Sequence, residues 1–282
     1  MTETISYIHQ SLKDLYPAGE ITSFTRQIME YVCGLQPHQF LLCKGKELSD
    51  TEKEDIKQIV IKLKQSEPIQ YIIGQTTFYD LPFLVNPSVL IPRPETEELV
   101  ELIIKTYSDS KIRILDIGTG SGCIAVSLAK FLPSSEVTAL DISSEALNVA
   151  RENAKRNNVS VSLIRTDILN TDQSIKDISG NFDIIVSNPP YVKESEKLEM
   201  NPNVLNYEPS QALFVPDDDP LIFYRAITDF GRKKLTTNGS LFFEINAQCG
   251  NEMVSLLKEY NYKEVELIRD ISEKDRIIKG NI

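Results

Sequence analysis

The sequence predicts an α/β protein, a doubly wound Rossmann-like sheet preceded by a small helical domain, and three observations carry that prediction. From Ile112 onward, short β-rich apolar runs alternate with helical stretches, the pattern of parallel strands joined by helical crossovers. The first of these runs, Ile112 to Ile117, opens directly into Gly118-Thr119-Gly120-Ser121-Gly122 and then a helical stretch from Cys123 to Phe131. Strand, glycine loop and helix in that order form the nucleotide cradle of such folds. Residues 1–73, by contrast, show helical periodicity throughout. With 282 residues, 41% of them hydrophobic, the chain is long enough to bury two cores.

Taken in order, Ile5, Ile8, Leu12 and Leu15 share one helical face until Pro17 and Gly19 break it, and Phe24, Ile28, Tyr31, Val32 and Leu35 form a second. Ser49-Asp50-Thr51-Glu52 is a capping box that opens a third helix, with Ile56, Ile59, Val60 and Leu63 inward. Phe40, Leu41 and Leu42 either face a partner or bury under that helix. Residues 74–94 then read as a β-hairpin linker, with Phe78-Tyr79, a turn at Asp80-Leu81-Pro82 and Phe83-Leu84-Val85. Pro92 and Pro94 stiffen the chain, and Pro94 suits the first position of a helix running to Tyr107. Hairpin and stiff segment are expected to wall a pocket on the substrate side, through Phe78, Arg93 and Glu95, or else to act as a plain interdomain strut. Residues 95–282 form the sheet domain.

Within it, Asp116, Gly118, Thr119, Gly120, Ser121 and Gly122 are the expected cradle, with backbone N–H groups turned to the ligand. Cys123 stands where a dinucleotide fingerprint wants its third glycine, which argues against NAD. The next strand, Glu136 to Leu140, ends at Asp141, whose carboxylate can accept from two ribose hydroxyls, and Ser143 caps the following helix. The strand Val161 to Arg165 leads to Asp167, placed to accept from an adenine amino group, and Ile168, placed to pack on the ring. A fourth strand, Phe182 to Ser187, delivers Asn188-Pro189-Pro190-Tyr191 to the same rim. The prolines remove two backbone donors, so carbonyls there remain free acceptors, Asn188 adds a side-chain acceptor, and Tyr191 supplies a flat face. That set suits the grip on a planar NH2 group. Seats for an adenosine beside such a grip point to an S-adenosylmethionine-dependent methyltransferase acting on nitrogen, with Asn188 touching both donor and acceptor. After the tetrad, residues 192–219 read as a long loop, taken as a flap closing on donor or substrate. A helix, a turn at Asn238-Gly239, a fifth strand through Ser240 to Ile245 and a late hairpin complete the domain.

Charge and composition narrow the partner. With 41 acidic against 30 basic residues the net charge is −11, unfavourable for tracking a phosphate backbone, so nucleic acid is disfavoured as a direct substrate. Cys33, Cys43, Cys123 and Cys249 are scattered and the chain has two histidines, so free thiols and no metal site are expected. No apolar run approaches the roughly 20 residues of a membrane span and no signal-peptide core is visible, so a cytoplasmic protein away from membranes is expected.

The chain resembles the release-factor glutamine methyltransferases, also called PrmC or HemK. The resemblance rests on Asp116 to Gly122, Asn188 to Tyr191, Glu67 to Gly74, Phe78, and above all Leu90-Ile91-Pro92-Arg93-Pro94-Glu95-Thr96-Glu97. It continues through Tyr207-Glu208-Pro209, Ala212-Leu213, Asp270 and Asp275-Arg276. It implies a class I methyltransferase domain with a seven-stranded sheet, a helical N-terminal domain that contacts the factor, and S-adenosylmethionine as donor with S-adenosylhomocysteine as product. It also implies a peptide chain release factor as substrate, methylated on the glutamine side-chain amide of its Gly-Gly-Gln motif, by an enzyme expected to work as a monomer. Some relatives carry an aromatic residue at the position of Ile168. Two rival readings use the same residues: a DNA adenine amino-methyltransferase sharing the tetrad, and a non-catalytic adaptor on the methyltransferase fold.

Overall fold

The computed structural model describes residues 1–35, 47–108, 110–170, 172–173, 176 and 178–282; Phe40, Leu41, Leu42 and Cys43 lie outside them. The chain divides into two compact units, residues 1–74 with 201–207, and residues 75–200 with 208–282.

The first unit is helical: α1 (Thr2–Leu12), α2 (Ala18–Cys33), α3 (Asp50–Lys64) and α4 (Ile69–Ile73). Its core gathers Ile8, Leu12, Ile21, Phe24, Ile28, Ile56, Val60 and Leu63, one apolar stripe from each long helix. The capping box of α3 is complete, Glu52 N–H donating to Ser49 Oγ at 3.2 Å and Ser49 N–H to Glu52 Oε2 at 2.7 Å. Leu15 and Tyr31 depart from the expected stripes and are exposed, Leu15 because it lies beyond the last residue of α1.

The second unit opens with a hairpin, β1 (Gln75–Phe78) and β2 (Leu81–Leu84). Its turn is Tyr79-Asp80, at φ 47° and 59°, not the expected Asp80-Leu81-Pro82. Phe78 pairs with Leu81 and Thr77 with Pro82. With Phe78 and Leu81 as the hydrogen-bonded closing pair, the next pair is a non-bonded one, so Pro82 removes no ladder bond. The left-handed backbone of Tyr79 is held from outside: its N–H donates to Glu97 Oε1 at 2.8 Å and its ring meets Phe131 edge-on at 5.1 Å.

Next come α5 (Pro94–Tyr107), β3 (Arg113–Ile117), α6 (Cys123–Phe131), β4 (Glu136–Asp141), α7 (Ser144–Arg156), β5 (Ser162–Arg165) and β6 (Phe182–Ser187). Residues 192–219 are built rather than structureless: they hold a short parallel pair, β7 (Val192–Lys193) with β8 (Phe214–Val215), and, between these in the chain, α8 (Pro202–Tyr207). Residues 201–207 belong to the first unit, where Tyr207 Oη donates to the Gln65 carbonyl at 2.9 Å. The chain ends with α9 (Ile222–Lys234), β9 (Leu235–Glu244), α10 (Gly250–Glu259), β10 (Lys263–Arg269) and β11 (Asp275–Asn281). The Asn238-Gly239 pair is an irregularity inside β9, since Leu235 pairs with Phe182 while Ser240 already pairs with Ile184.

Seven strands form one sheet in the order β10-β11-β9-β6-β3-β4-β5, with β9 to β5 parallel and the last hairpin antiparallel. Successive side chains serve opposite faces: Ile114, Ile184, Val186 and Phe242 pack with α5 and α6, while Leu115, Ile117, Ile185 and Phe243 pack with α9 and α10. The hairpin joins the first of these cores through Phe78, Leu81 and Phe83. Chain order reverses beside β3, with β4 on one side and β6 on the other, so a crevice opens at the carboxyl ends of β3 and β6.

Candidate active site

Both motifs read from sequence meet in that crevice because their strands are in register. Ile117 stands opposite Ser187, so the glycine loop and Asn188 leave the sheet side by side, and Ser187 Oγ donates to the Ile117 carbonyl at 2.6 Å. A cavity of about 240 Å³ lies there, lined by Gly118, Thr119, Gly120, Ser121, Asp141, Asp167, Ile168, Asn188, Pro189 and Pro190 among the expected residues.

The loop is wired differently from the expectation. The N–H groups of Gly118 and Thr119 donate to the Leu140 carbonyl at 2.9 and 3.0 Å, that of Gly120 to Asp141 Oδ2 at 2.9 Å, and that of Gly122 to the Thr119 carbonyl at 2.8 Å. The first three therefore tie the loop to β4 and the fourth closes a turn within it, so these four are not aimed at a ligand. A pyrophosphate would need those donors; a ligand held by apolar packing and by hydroxyl donors would not. Gly120, at φ 54°, has nothing within 4 Å of where a Cβ would stand, whereas at Gly122, at φ 79°, a Cβ would meet that of Ala150 at 3.0 Å. Gly122 is a packing residue outside the cavity lining. Asp116 is also outside it, fully buried beneath the loop, where Thr119 Oγ1 donates to its Oδ2 at 2.6 Å. Burial pushes the Asp116 carboxyl up to about 7 against the effect of that hydrogen bond.

Asp141 ends β4 with each carboxylate oxygen already oriented by a backbone donor, Oδ2 by Gly120 and Oδ1 by Ser143, both at 2.9 Å. A carboxylate has about four acceptor positions, so each oxygen keeps one for a ligand. Burial raises its pKa, and the N–H groups of Ser143, Gly120 and, least, Ile142 oppose the rise. Ser143 caps α7 as expected, its Oγ accepting from Ala146 N–H at 3.1 Å. Asp167 Oδ1 accepts from Leu169 N–H at 2.9 Å, and Ile168 is buried against the cavity. Leu140, Ile142 and Ile168 contribute apolar lining.

Asn188-Pro189-Pro190-Tyr191 divides this cavity from another. Tyr191 does not line the first; it lines a second cavity of about 300 Å³ with Glu196, Glu199, Asn246, Lys274 and Arg276. Asn188 Nδ2 donates to Thr96 Oγ1 at 3.3 Å, and Asn188 Oδ1 makes no hydrogen bond among the described residues. Among the described residues no loop or turn hydrogen bond ends on the Pro189 carbonyl. Two acceptors are thus open at the motif. Burial, helped by the Glu244 charge, pushes the Tyr191 hydroxyl up to about 12, so it stays protonated.

Other expected residues sit elsewhere. Phe78 is 1% exposed in the core, edge-on to Phe83 at 5.9 Å, because the true hairpin turn directs it inward; it cannot meet a substrate. Glu95 lines neither cavity. Arg93 does line the first, and pairs with the buried Glu208, which also accepts from Ile91 N–H at 3.2 Å. The stiff segment therefore walls the site from Ser88 to Thr96, and the hairpin strands do not.

Several residues at the site receive no role from the sequence, although Asp270 and Arg276 are among those that carry the resemblance. Glu244, the last residue of β9, is 1% exposed and accepts from Thr96 Oγ1 at 2.6 Å. Asn153 of α7, fully buried, binds both backbone groups of Leu84 and the Ser121 carbonyl, coupling hairpin to glycine loop. Asp270 holds Arg276 at 3.1 Å and folds the loop between β10 and β11. Among the described residues no group of His, Cys, Asp or Glu could hold a metal ion, and no helix is long and apolar enough to cross a membrane.

Comparison with known proteins agrees with this architecture. The family described as PrmC N-terminal domain matches residues 3–74, and that described as Methyltransferase small domain matches residues 95–207. A methyltransferase structure from Pyrococcus furiosus superposes with a TM-score of 0.54 at 19% identity, covering 83% of this chain and 98% of that one, which shows the shared fold. The chain is 48% identical to the release factor glutamine methyltransferase of Flavobacterium psychrophilum, over 96% of this chain and 95% of the relative. It is 46% identical to that of Bacteroides thetaiotaomicron over the full length of both. This chain belongs to the release factor glutamine methyltransferase family.

Proposed function

We propose that this protein transfers a methyl group from S-adenosylmethionine to the side-chain amide nitrogen of the glutamine in the Gly-Gly-Gln motif of a peptide chain release factor. Family membership supports the substrate, and the observation that carries the chemistry is the pair of open acceptors at Asn188 Oδ1 and the Pro189 carbonyl, beside the cavity at the β3 and β6 ends. The first cavity suits the donor. Leu140, Ile142 and Ile168 offer apolar surface to adenine, Asp167 a carboxylate to its amino group, and the two remaining acceptor positions of Asp141 a seat for the ribose hydroxyls. Bound there, S-adenosylmethionine supplies a methyl group on a positive sulfur and leaves as S-adenosylhomocysteine.

The acceptor amide sits at the motif itself, between the two cavities, where Asn188 and Pro189 line the first and Tyr191, whose ring can pack on the amide plane, lines the second. An amide nitrogen is a poor nucleophile because its lone pair is delocalised. Asn188 Oδ1 and the Pro189 carbonyl take its two hydrogens and turn the lone pair toward the donor, so positioning is the main source of rate. As the nitrogen gains positive charge the same acceptors hold it more strongly, which is differential stabilisation of the transition state. Tyr191 keeps its proton and is no general base; the amide proton leaves to water. Residues 1–73 contact the factor away from the glutamine, and residues 192–219 close over the site. The enzyme works as a metal-free monomer, in the cytoplasm with its substrate.

The test is Asn188→Ala. It should leave donor binding within a few-fold and lower methyl transfer to the factor by about 100-fold or more, the scale seen when one positioned hydrogen-bonding group is removed. Transfer at the parental rate would remove Asn188 from the chemistry.

A further inference from the structure

Asparagine has two ends of nearly the same shape and opposite hydrogen-bonding character, so sterics alone do not choose which end faces a substrate. We propose that Thr96 and Glu244 are positioning residues that fix the polarity of the Asn188 amide, keeping its oxygen toward the acceptor. The inference rests on the reading of Asn188 as the group that holds the substrate NH2.

The argument follows the protons. Asn188 Nδ2 lies 3.3 Å from Thr96 Oγ1, a hydroxyl able either to donate or to accept. Its other neighbour decides which: Thr96 Oγ1 is 2.6 Å from Glu244 Oε2, and an ionised carboxylate only accepts. The hydroxyl proton is therefore committed to Glu244, the Thr96 lone pairs face Asn188, and Asn188 must present its NH2 to Thr96 and its Oδ1 outward. Reversal would set an NH2 against the substrate NH2. Thr96 and Glu244 are 2% and 1% exposed, so bulk water cannot readily take either place.

The elements that bring the three together are stiff. Thr96 lies in the first turn of α5, behind Pro92 and Pro94, with its N–H on the Arg93 carbonyl at 3.1 Å. Glu244 ends β9 one step beyond Phe243, which pairs with Ser187, the residue before Asn188. A buried carboxylate without a salt-bridge partner is an expensive way to tie a helix to a strand. Among the described residues Glu244 has none. The charged and titratable groups around it are Arg276, Arg93, Glu95, Tyr191, Tyr224 and Cys123. Burial pushes its carboxyl up to about 7, against the Thr96 hydrogen bond and the Arg276 charge. Once protonated, Glu244 can donate to Thr96, which frees the Thr96 proton for Asn188 Oδ1 and turns the amide round.

The experiment compares Thr96→Val, Thr96→Ser and Glu244→Gln with the parent and with Asn188→Ala. It measures kcat and KM on a purified release factor, S-adenosylhomocysteine affinity and thermal unfolding. Thr96→Val should lower kcat about 10- to 100-fold while donor affinity changes no more than about threefold. Thr96→Ser, which restores the hydroxyl, should recover most of that loss. Parental kcat should fall as pH drops through about 7, and Glu244→Gln, which has no proton to gain there, should lose that step. Parental kcat in Thr96→Val, or equal losses of donor affinity and turnover that serine does not rescue, would overturn the proposal. If Thr96→Val does not fold, the pH profile of Glu244→Gln decides, and an unchanged step overturns it. If Asn188→Ala abolishes transfer while Thr96→Val does not, the relay is wrong and the reading of Asn188 stands. If the parent methylates no release factor, that reading fails and the relay with it.

Discussion

Replacing Asp141 by alanine isolates the donor seat. The carboxylate accepts from Gly120 and Ser143 N–H, both at 2.9 Å, and each oxygen keeps one acceptor position for a ribose hydroxyl. Hydrogen bonds to a charged acceptor contribute roughly 1.5–3 kcal/mol each, so two lost bonds at the low end remove about 3 kcal/mol, or about 100-fold in affinity. Fold stability should change far less, because the lost backbone bonds are offset by release of a carboxylate whose burial already raises its pKa. Asparagine should do no better than alanine. Its one carbonyl oxygen can satisfy Gly120 or Ser143, and its NH2 then confronts the other N–H. Titration calorimetry with S-adenosylhomocysteine measures the affinity, with thermal unfolding of each apo variant alongside. Binding of the alanine variant within about threefold of the parent would refute this placement of the ribose.

The two glycines predict opposite phenotypes. Gly122→Ala should lower stability by roughly 2–4 kcal/mol, combining a left-handed φ with an overpacked contact, since its Cβ would stand 3.0 Å from that of Ala150. Gly120→Ala, with open space around its Cβ, should instead weaken donor binding at a smaller stability cost; scanning calorimetry and ligand titration separate the two. The stability of Glu244→Gln relative to the parent should depend on pH. Burial holds the Glu244 carboxyl at about 7 in the folded protein, above the roughly 4.3 of an unfolded chain. Between those values the folded state binds the extra proton, so this group's contribution to stability falls as pH rises and levels off above about 7. The melting temperature of Glu244→Gln should therefore gain on that of the parent from pH ~5 to pH ~8, and a constant or shrinking difference would contradict the assignment.

What could be read from the sequence was local in the chain. The glycine loop and Asn188 to Tyr191 each follow a strand directly, so periodicity plus turn residues locate them, and parallel pairing of those strands brings them together. Pro82 reads as a turn residue, although at a non-bonded strand position its missing N–H removes nothing from the ladder. The sequence places the N–H groups of the loop toward a ligand, whereas the partners of Gly118, Thr119 and Gly120, the Leu140 carbonyl and Asp141, sit on a neighbouring strand. The roles of Thr96, Glu244 and Asn153 are not legible in the sequence, since each acts on a residue far away in the chain. Glu244 ends an apolar strand, where a solvated carboxylate is the ordinary expectation; only the position of α5 over β9 shows that it is buried against Thr96.

The central claim, that the acceptor is a release-factor glutamine, is tested most directly by mass spectrometry of a purified factor after reaction with S-adenosylmethionine, with DNA and a short Gly-Gly-Gln peptide in parallel. The account predicts one added methyl group on the glutamine of Gly-Gly-Gln in the intact factor, slow transfer to the peptide, which lacks the remote contacts, and none to DNA. Methylated adenine in the DNA with an unmodified factor would contradict it.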